Sequence, residues 1–348
     1  MSQQAVIYGL AGTEITAWER AFFRDADPWG YILFARNIAS RDQVRRLTAE
    51  LRSLAGRDAL AILIDQEGGR VQRLKSPISP EAPPASHFGK LEAMSPGMGE
   101  VAAFENARAI ALDLAELGLT VDCLPVLDLP QSDADPIIGD RAYGTTPDAV
   151  IPLARRSVEG LIAGGVLPVI KHLPGHGRAL QDSHLALPRV GASLPELEAH
   201  DFRPFQAFSD MPLGMTAHIV YDAIDPDRPL TLSPAGIAST IRGPAPSGLQ
   251  FDGLLMTDDL SMKALDGPFE RRASEALAAG CDVVLHCNGE PDEMLAVAKG
   301  VTVLSGTAAK RARRVDRWIE TLAGPLASDP RGVADQLLAA LDAPRGAG

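Results

Sequence analysis

Positive charge is scarce in this sequence: 33 Lys and Arg stand against 45 Asp and Glu, for a formal net charge of −12. Nucleic acid and anionic membrane both reward clustered cations, so neither is expected as a partner. Cysteine is scarce as well. The three present, Cys123, Cys281 and Cys287, are odd in number and lie in apolar contexts, which suits buried, reduced thiols in a cytosolic protein better than a disulfide framework. No apolar run reaches 18 residues, and the opening Met1-Ser2-Gln3-Gln4-Ala5-Val6 lacks a basic stretch followed by a long apolar one. The chain is therefore read as soluble, not exported and cytoplasmic. Glycine motifs that cradle phosphates are also missing. Gly9-Leu10-Ala11-Gly12 is not GxGxxG, and Gly175-His176-Gly177-Arg178 lacks the Gly-Lys-Ser/Thr ending of a nucleotide loop.

What is present is repetition. With 348 residues, 46% of them hydrophobic, the chain can bury a large core. Short apolar runs rich in branched residues recur at 5–9, 31–34, 60–65, 120–123, 166–171, 213–217, 254–258 and 282–286. Between most of them the apolar residues recur with helical spacing. In 42–54, for example, Val44, Leu47, Leu51 and Leu54 share one face, and 100–117, 148–163 and 271–279 read similarly. Gly118, Gly164-Gly165 and Gly280 stand where a helix would end in a left-handed cap before the next strand. The pattern is β then α, repeated eight times. It predicts an α/β fold, a single (β/α)8 barrel domain over residues 1–348, with the helices after Asn288 completing its outer layer and a frayed tail at 343–348. The Pro-rich stretch 76–84 reads as a long loop after the third strand.

Polar residues gather just past the C-terminal ends of these runs, the face that carries the active site in such barrels: Asp65, Lys171, His218 and Asp258. A charge there is costly unless it is paired or functional. The densest cluster is Lys171-His172-Leu173-Pro174-Gly175-His176-Gly177, followed by Gln181-Asp182-Ser183-His184. Two chemistries compete for it. His172 and His176, four apart, with Asp182 or His184, suggest a metal-dependent hydrolase, although Pro174 and the two glycines oppose the helix that such a pair requires. Alternatively, Asp182 orients and polarises His184 as an acid/base dyad on a flexible loop. A third signal is Thr257-Asp258-Asp259, where a strand delivers two consecutive carboxylates whose side chains must diverge: one can face the mouth while the other orients its neighbours.

Three stretches together, Ile64-Asp65-Gln66-Glu67-Gly68-Gly69-Arg70-Val71-Gln72-Arg73-Leu74, Lys171 to Gly177 with Asp182-Ser183-His184, and Thr257-Asp258-Asp259-Leu260-Ser261-Met262, resemble the bacterial glycoside hydrolase family 3 β-N-acetylglucosaminidases of cell-wall recycling. Supporting stretches are Gly30 to Asn37, Pro125 to Asp128, Ile138 to Arg141 and Met215 to Ile219, so the likeness spans roughly residues 5 to 290. The resemblance implies a retaining exo-β-N-acetylglucosaminidase that removes terminal N-acetylglucosamine from muropeptides, without metal or other cofactor, acting as a monomer. It makes Asp258 the nucleophile, His184 the acid/base and Asp182 its partner, and it makes Asp65, Arg141, Lys171 and His172 the residues that bind the sugar. Leu173 stands where the family commonly has phenylalanine, and Arg178-Ala179 where it often has Asp-Thr. A loop-borne dyad must close over the sugar, so without substrate it is expected to be able to stand far from Asp258. A histidine in place of the usual acidic donor also leaves phosphate chemically open as an acceptor, an alternative phosphorylase chemistry on the same site.

Overall fold

The computed structural model describes residues 3–132 and 134–322. Nine parallel strands form one sheet: β1 (Gln4–Gly9), β2 (Pro28–Leu33), β3 (Ala61–Ile64), β4 (Val121–Asp122), β5 (Leu167–Pro168), β6 (Ile170–Leu173), β7 (Leu213–Thr216), β8 (Leu254–Asp259) and β9 (Val283–His286). Their order is β5-β4-β3-β2-β1-β9-β8-β7-β6. The two ends of that order are consecutive in the chain, parted only at Val169, and Val126 beyond β4 bridges Lys171 of β6. The sheet thus curls into a barrel. The nine strands are the eight apolar runs of the sequence, the fifth being interrupted at Val169, whose amide is shared between the Asp122 and Leu124 carbonyls.

The outer layer follows from the helical faces. The helix Arg41–Ala55 starts at Ser40, whose hydroxyl accepts from the Gln43 amide, and buries Val44, Leu47 and Leu51. Each such side chain contributes about 1.5–3 kcal/mol by leaving water. Helices Met98–Glu116, Pro147–Ala163 and Phe269–Ala279 cover the sheet at the remaining expected places, and Pro291–Gly300 and Gly306–Leu322 complete the layer. Gly118, Gly165 and Gly280 turn the chain with φ of 77°, 93° and 117°. Cys123, Cys281 and Cys287 are buried free thiols, pushed up in pKa by that burial. Among the described residues no helix is long and apolar enough to cross a membrane. The tail expected to fray at 343–348 lies outside the described residues.

Candidate active site

A cavity of about 240 Å³ opens at the C-terminal ends of the strands, and Asp65, Arg141, Lys171, His172, His184, Asp258 and Asp259 all line it. It is smaller than the ~300–1,000 Å³ clefts that hold drug-sized ligands. One half of its wall is an ion-pair network. Lys171, 2% exposed, extends from β6 and places Nζ 3.1 Å from Asp65 Oδ1 and 2.7 Å from Glu67 Oε1. Glu67 takes a two-pronged grip from Arg141, with Nε to Oε2 at 2.8 Å and the other guanidinium arm to Oε1 at 2.7 Å, while Arg73 donates to Asp65 Oδ2 at 2.9 Å. Burial pushes both carboxyls up, but the facing cations prevail: Glu67 falls to about 2 and Asp65 falls further below the ordinary range. Desolvation would lower Lys171, yet Glu67 and Asp65 raise it instead, so the charges stay fixed.

Beneath this network lies a carboxyl of the opposite kind. Asp122 is fully buried. Its Oδ1 accepts from the Gln66 amide at 2.9 Å, and its Oδ2 has no hydrogen-bond partner among the described residues. Burial pushes it up to about 8, so it is mainly protonated at neutral pH.

His172 is oriented by Asp128, a carboxylate with no exposure, whose Oδ2 lies 2.7 Å from His172 Nδ1. Asp128 Oδ1 accepts the amides of His172 at 3.2 Å and His176 at 2.7 Å. With Nδ1 held, His172 has its Nε2 free to face a ligand. Burial raises the Asp128 carboxyl, but His172, next to it, is the largest of the influences that bring it below the usual range.

Asp258 sits at the end of β8, half-buried, with Oδ1 accepting from the Asp259 amide at 2.8 Å. Burial opposes its ionisation, but His172, His218, that amide and His184 together leave its pKa below that of an ordinary aspartate. The Asp259 carboxylate instead ties the rim together, accepting from the amides of Ser261 at 3.0 Å and Cys287 at 3.1 Å. His218 does not line the cavity. Its Nδ1 contacts Thr231 Oγ1 at 2.8 Å and its Nε2 reaches the Asp259 carbonyl at 3.1 Å, so it supports β8 from behind.

The second half of the wall is a loop. After β6, Gly177 passes so close to Leu129 that a Cβ would lie 2.0 Å from its carbonyl oxygen, and only glycine fits. Arg178 Nε donates to buried Asp201 at 2.7 Å. Beyond this stem, Asp182 Oδ1 accepts from both the His184 amide at 2.8 Å and His184 Nδ1 at 2.7 Å, which turns Nε2 of a 60% exposed imidazole outward. Burial raises Asp182, but the His184 amide and ring together lower it overall. His184 already shares the cavity with Asp258, so in this structure the loop is not in the distant position that the sequence left open.

The metal reading does not match this arrangement. His172, His176 and His184 are paired separately with Asp128, Ser183 and Asp182, and among the described residues no three His, Cys, Asp or Glu side chains form a group that could hold a metal ion. Two supports escaped the sequence reading as functional residues. Glu67 follows Asp65 at a spacing of two, which puts both on one side of an extended segment and could have flagged it. Asp128 follows an irregular stretch with no periodicity to mark it.

A model of the glycosyl hydrolase family 3 N-terminal domain matches residues 14–319. A protein named β-hexosaminidase from Alkalilimnicola ehrlichii is 38% identical over 298 residues, covering 84% of this chain and 83% of its own. Another of that name from Methylococcus capsulatus is 40% identical over 287 residues, covering 81% and 82%. Among solved structures, NagZ from Neisseria gonorrhoeae in complex with N-trifluoroacetyl-D-glucosamine is similar at a TM-score of 0.82, with 32% identity and 98% of each chain covered.

Proposed function

This chain belongs to glycosyl hydrolase family 3 and is a β-hexosaminidase, and we propose that it releases terminal N-acetylglucosamine with retention, through a covalent glycosyl-Asp258 intermediate. The observation that carries this reading is the shared cavity: an ionised Asp258 and the outward Nε2 of His184 line one chamber with Asp65, Arg141, Lys171 and His172. Its volume suits a single sugar ring, which favours attack on a chain end.

The chemistry then follows from the placement. Asp65, Arg141, Lys171 and His172 hold the sugar hydroxyls. An Asp258 oxygen bonds to the anomeric carbon as the bond to the leaving oxygen breaks, and His184 Nε2 gives that oxygen its proton. The now neutral His184 takes a proton from water, whose oxygen displaces Asp258 and regenerates both groups. Asp182 holds Nδ1 throughout and stabilises the imidazolium. The polar, ion-paired half binds; the loop half moves the proton. In this reading muropeptide fragments are the substrate, the protein acts in the cytoplasm as a monomer, and residues 1–348 form one barrel domain.

Incubation with a 5-fluoro N-acetylglucosaminyl fluoride followed by mass spectrometry of the digested protein tests this. An adduct on the peptide containing Asp258, lost in Asp258→Ala, is the expected result. An adduct on Asp259, or inversion of the product anomer by NMR, would overturn it.

A further inference from the structure

Both His176 and Ser183 belong to the loop that carries the dyad, yet neither reaches the cavity. Each is nevertheless almost fully buried, at 4% and 2% exposure, in a segment whose neighbours Leu180, Leu185 and Leu187 are 61%, 68% and 38% exposed. The two meet: His176 Nε2 lies 3.1 Å from Ser183 Oγ. His176 is itself fixed from below, because its amide donates to Asp128 at 2.7 Å and its ring lies edge-on to His172, with centroids 5.7 Å apart. Ser183 is fixed on its other side, its carbonyl accepting the Ala264 amide at 3.2 Å. It stands between Asp182 and His184 in the chain.

We propose that His176 is a positioning residue: through Ser183 it pins the loop tip so that His184 stands over the Asp258 cavity, and through Asp128 it ties that position to the sugar-binding His172. The inference rests on the dyad reading of Asp182 and His184. Burial, and next the neighbouring His172, push His176 down to about 4, so it is a neutral hydrogen-bonding group at working pH and not a proton donor. Its Nδ1 has no hydrogen-bond partner among the described residues, which leaves the Ser183 contact as the polar function of the ring. Asp128 therefore serves both halves of the site, one oxygen orienting the binding imidazole and the other holding the base of the dyad loop.

A misplaced donor slows the first step only where the leaving group needs its proton, kcat/KM reports that step apart from the later attack of water, and a displacement of about 1 Å can cost ~10²-fold. The test compares kcat/KM of wild type, Ser183→Ala, His176→Ala, His176→Gln and His184→Ala on a dinitrophenyl N-acetyl-β-glucosaminide, which departs unaided, and on an alkyl glycoside, which does not. For Ser183→Ala and His176→Ala the expected result is a loss of about ten- to a hundredfold on the alkyl glycoside, less than about threefold on the aryl one, and unchanged inhibition by N-acetylglucosamine. His176→Gln, whose amide can reach the serine, should recover part of the loss. Equal losses on both substrates, or wild-type behaviour of Ser183→Ala while His184→Ala shows the bias, would overturn the proposal alone. If His184→Ala shows no leaving-group bias, the dyad reading falls and the proposal with it. Should His176→Ala not fold, Ser183→Ala decides.

Discussion

The two halves of the cavity wall are built by opposite means. Asp65, Glu67, Lys171 and Arg141 project from or beside strand ends, hold one another at 2.7–3.1 Å and are at most 15% exposed. The dyad half is a loop whose imidazole is 60% exposed, tied to the rest of the protein through its stem and through the Ser183 carbonyl, which accepts the Ala264 amide. In the mechanism we propose, the groups that bind the sugar must be rigid before it arrives and are held by charges that cannot relax, while the proton donor, which must allow a substrate in and a leaving group out, is held by a few replaceable hydrogen bonds.

The widest gap between the halves should come from Lys171→Met. Removing the cation takes away the charge that Asp65 and Glu67 share and leaves each with one arginine, Arg73 and Arg141, and breaking a buried pair costs about 3–5 kcal/mol. A loss of that size in urea unfolding, with activity abolished, is expected; unchanged stability would mean that the network is a loose solvated rim. His184→Ala should do the reverse, leaving the unfolding midpoint in place while slowing alkyl glycosides about 10²–10⁴-fold. A clear drop in stability there would erase the contrast.

Acid sharpens the comparison further. Glu67 falls from 4.5 to about 2 on folding, so its contribution is complete above about pH 4.5 and is lost as pH falls toward 2. Stability measured across that window should decline more steeply in wild type than in a Glu67→Gln variant, which starts from a lower level and keeps the contribution of Asp65. The effect of opposite sign belongs to Asp122. Its pKa rises from 3.8 to about 8, so wild type loses stability as pH climbs from about 4 to 8, because the unfolded chain releases the proton first. Asp122→Asn keeps an acceptor for the Gln66 amide and removes that penalty. At pH 7 it should be more stable by ~1 kcal/mol or more, with the gain vanishing near pH 4. A pH-independent difference would show that the carboxyl is not buried as a neutral acid.

The rigid half was the more legible in the sequence, for a physical reason. Strands alternate and end predictably, so apolar runs followed by Asp65, Lys171 and Asp258 located the mouth, and the family likeness added Arg141 and His172. Which cation meets which carboxylate was not readable, since Lys171 and Asp65 are 106 residues apart and their pairing depends on barrel closure. In the loop half the Asp182–His184 pair was legible from its spacing and the family likeness, but the anchorage of the loop was not. Its histidines were visible, but that His172 and His176 both answer to Asp128, which the sequence marked only as the end of a supporting stretch, is shown by three-dimensional contact alone.

At Val169 the barrel is joined by the chain itself. Because β5 and β6 are the two extremes of the sheet and also one uninterrupted piece of chain, the barrel is sealed at that seam by peptide bonds as well as by the Val126–Lys171 bridge. A circular permutant with new termini in the loop after a helix would keep the seal. One reopened at Val169 would leave the seam to the few hydrogen bonds between Lys171 and the Pro125–Leu127 stretch, a weakened margin that offers unpaired amides and carbonyls to another molecule, and it should self-associate where the first permutant stays dispersed.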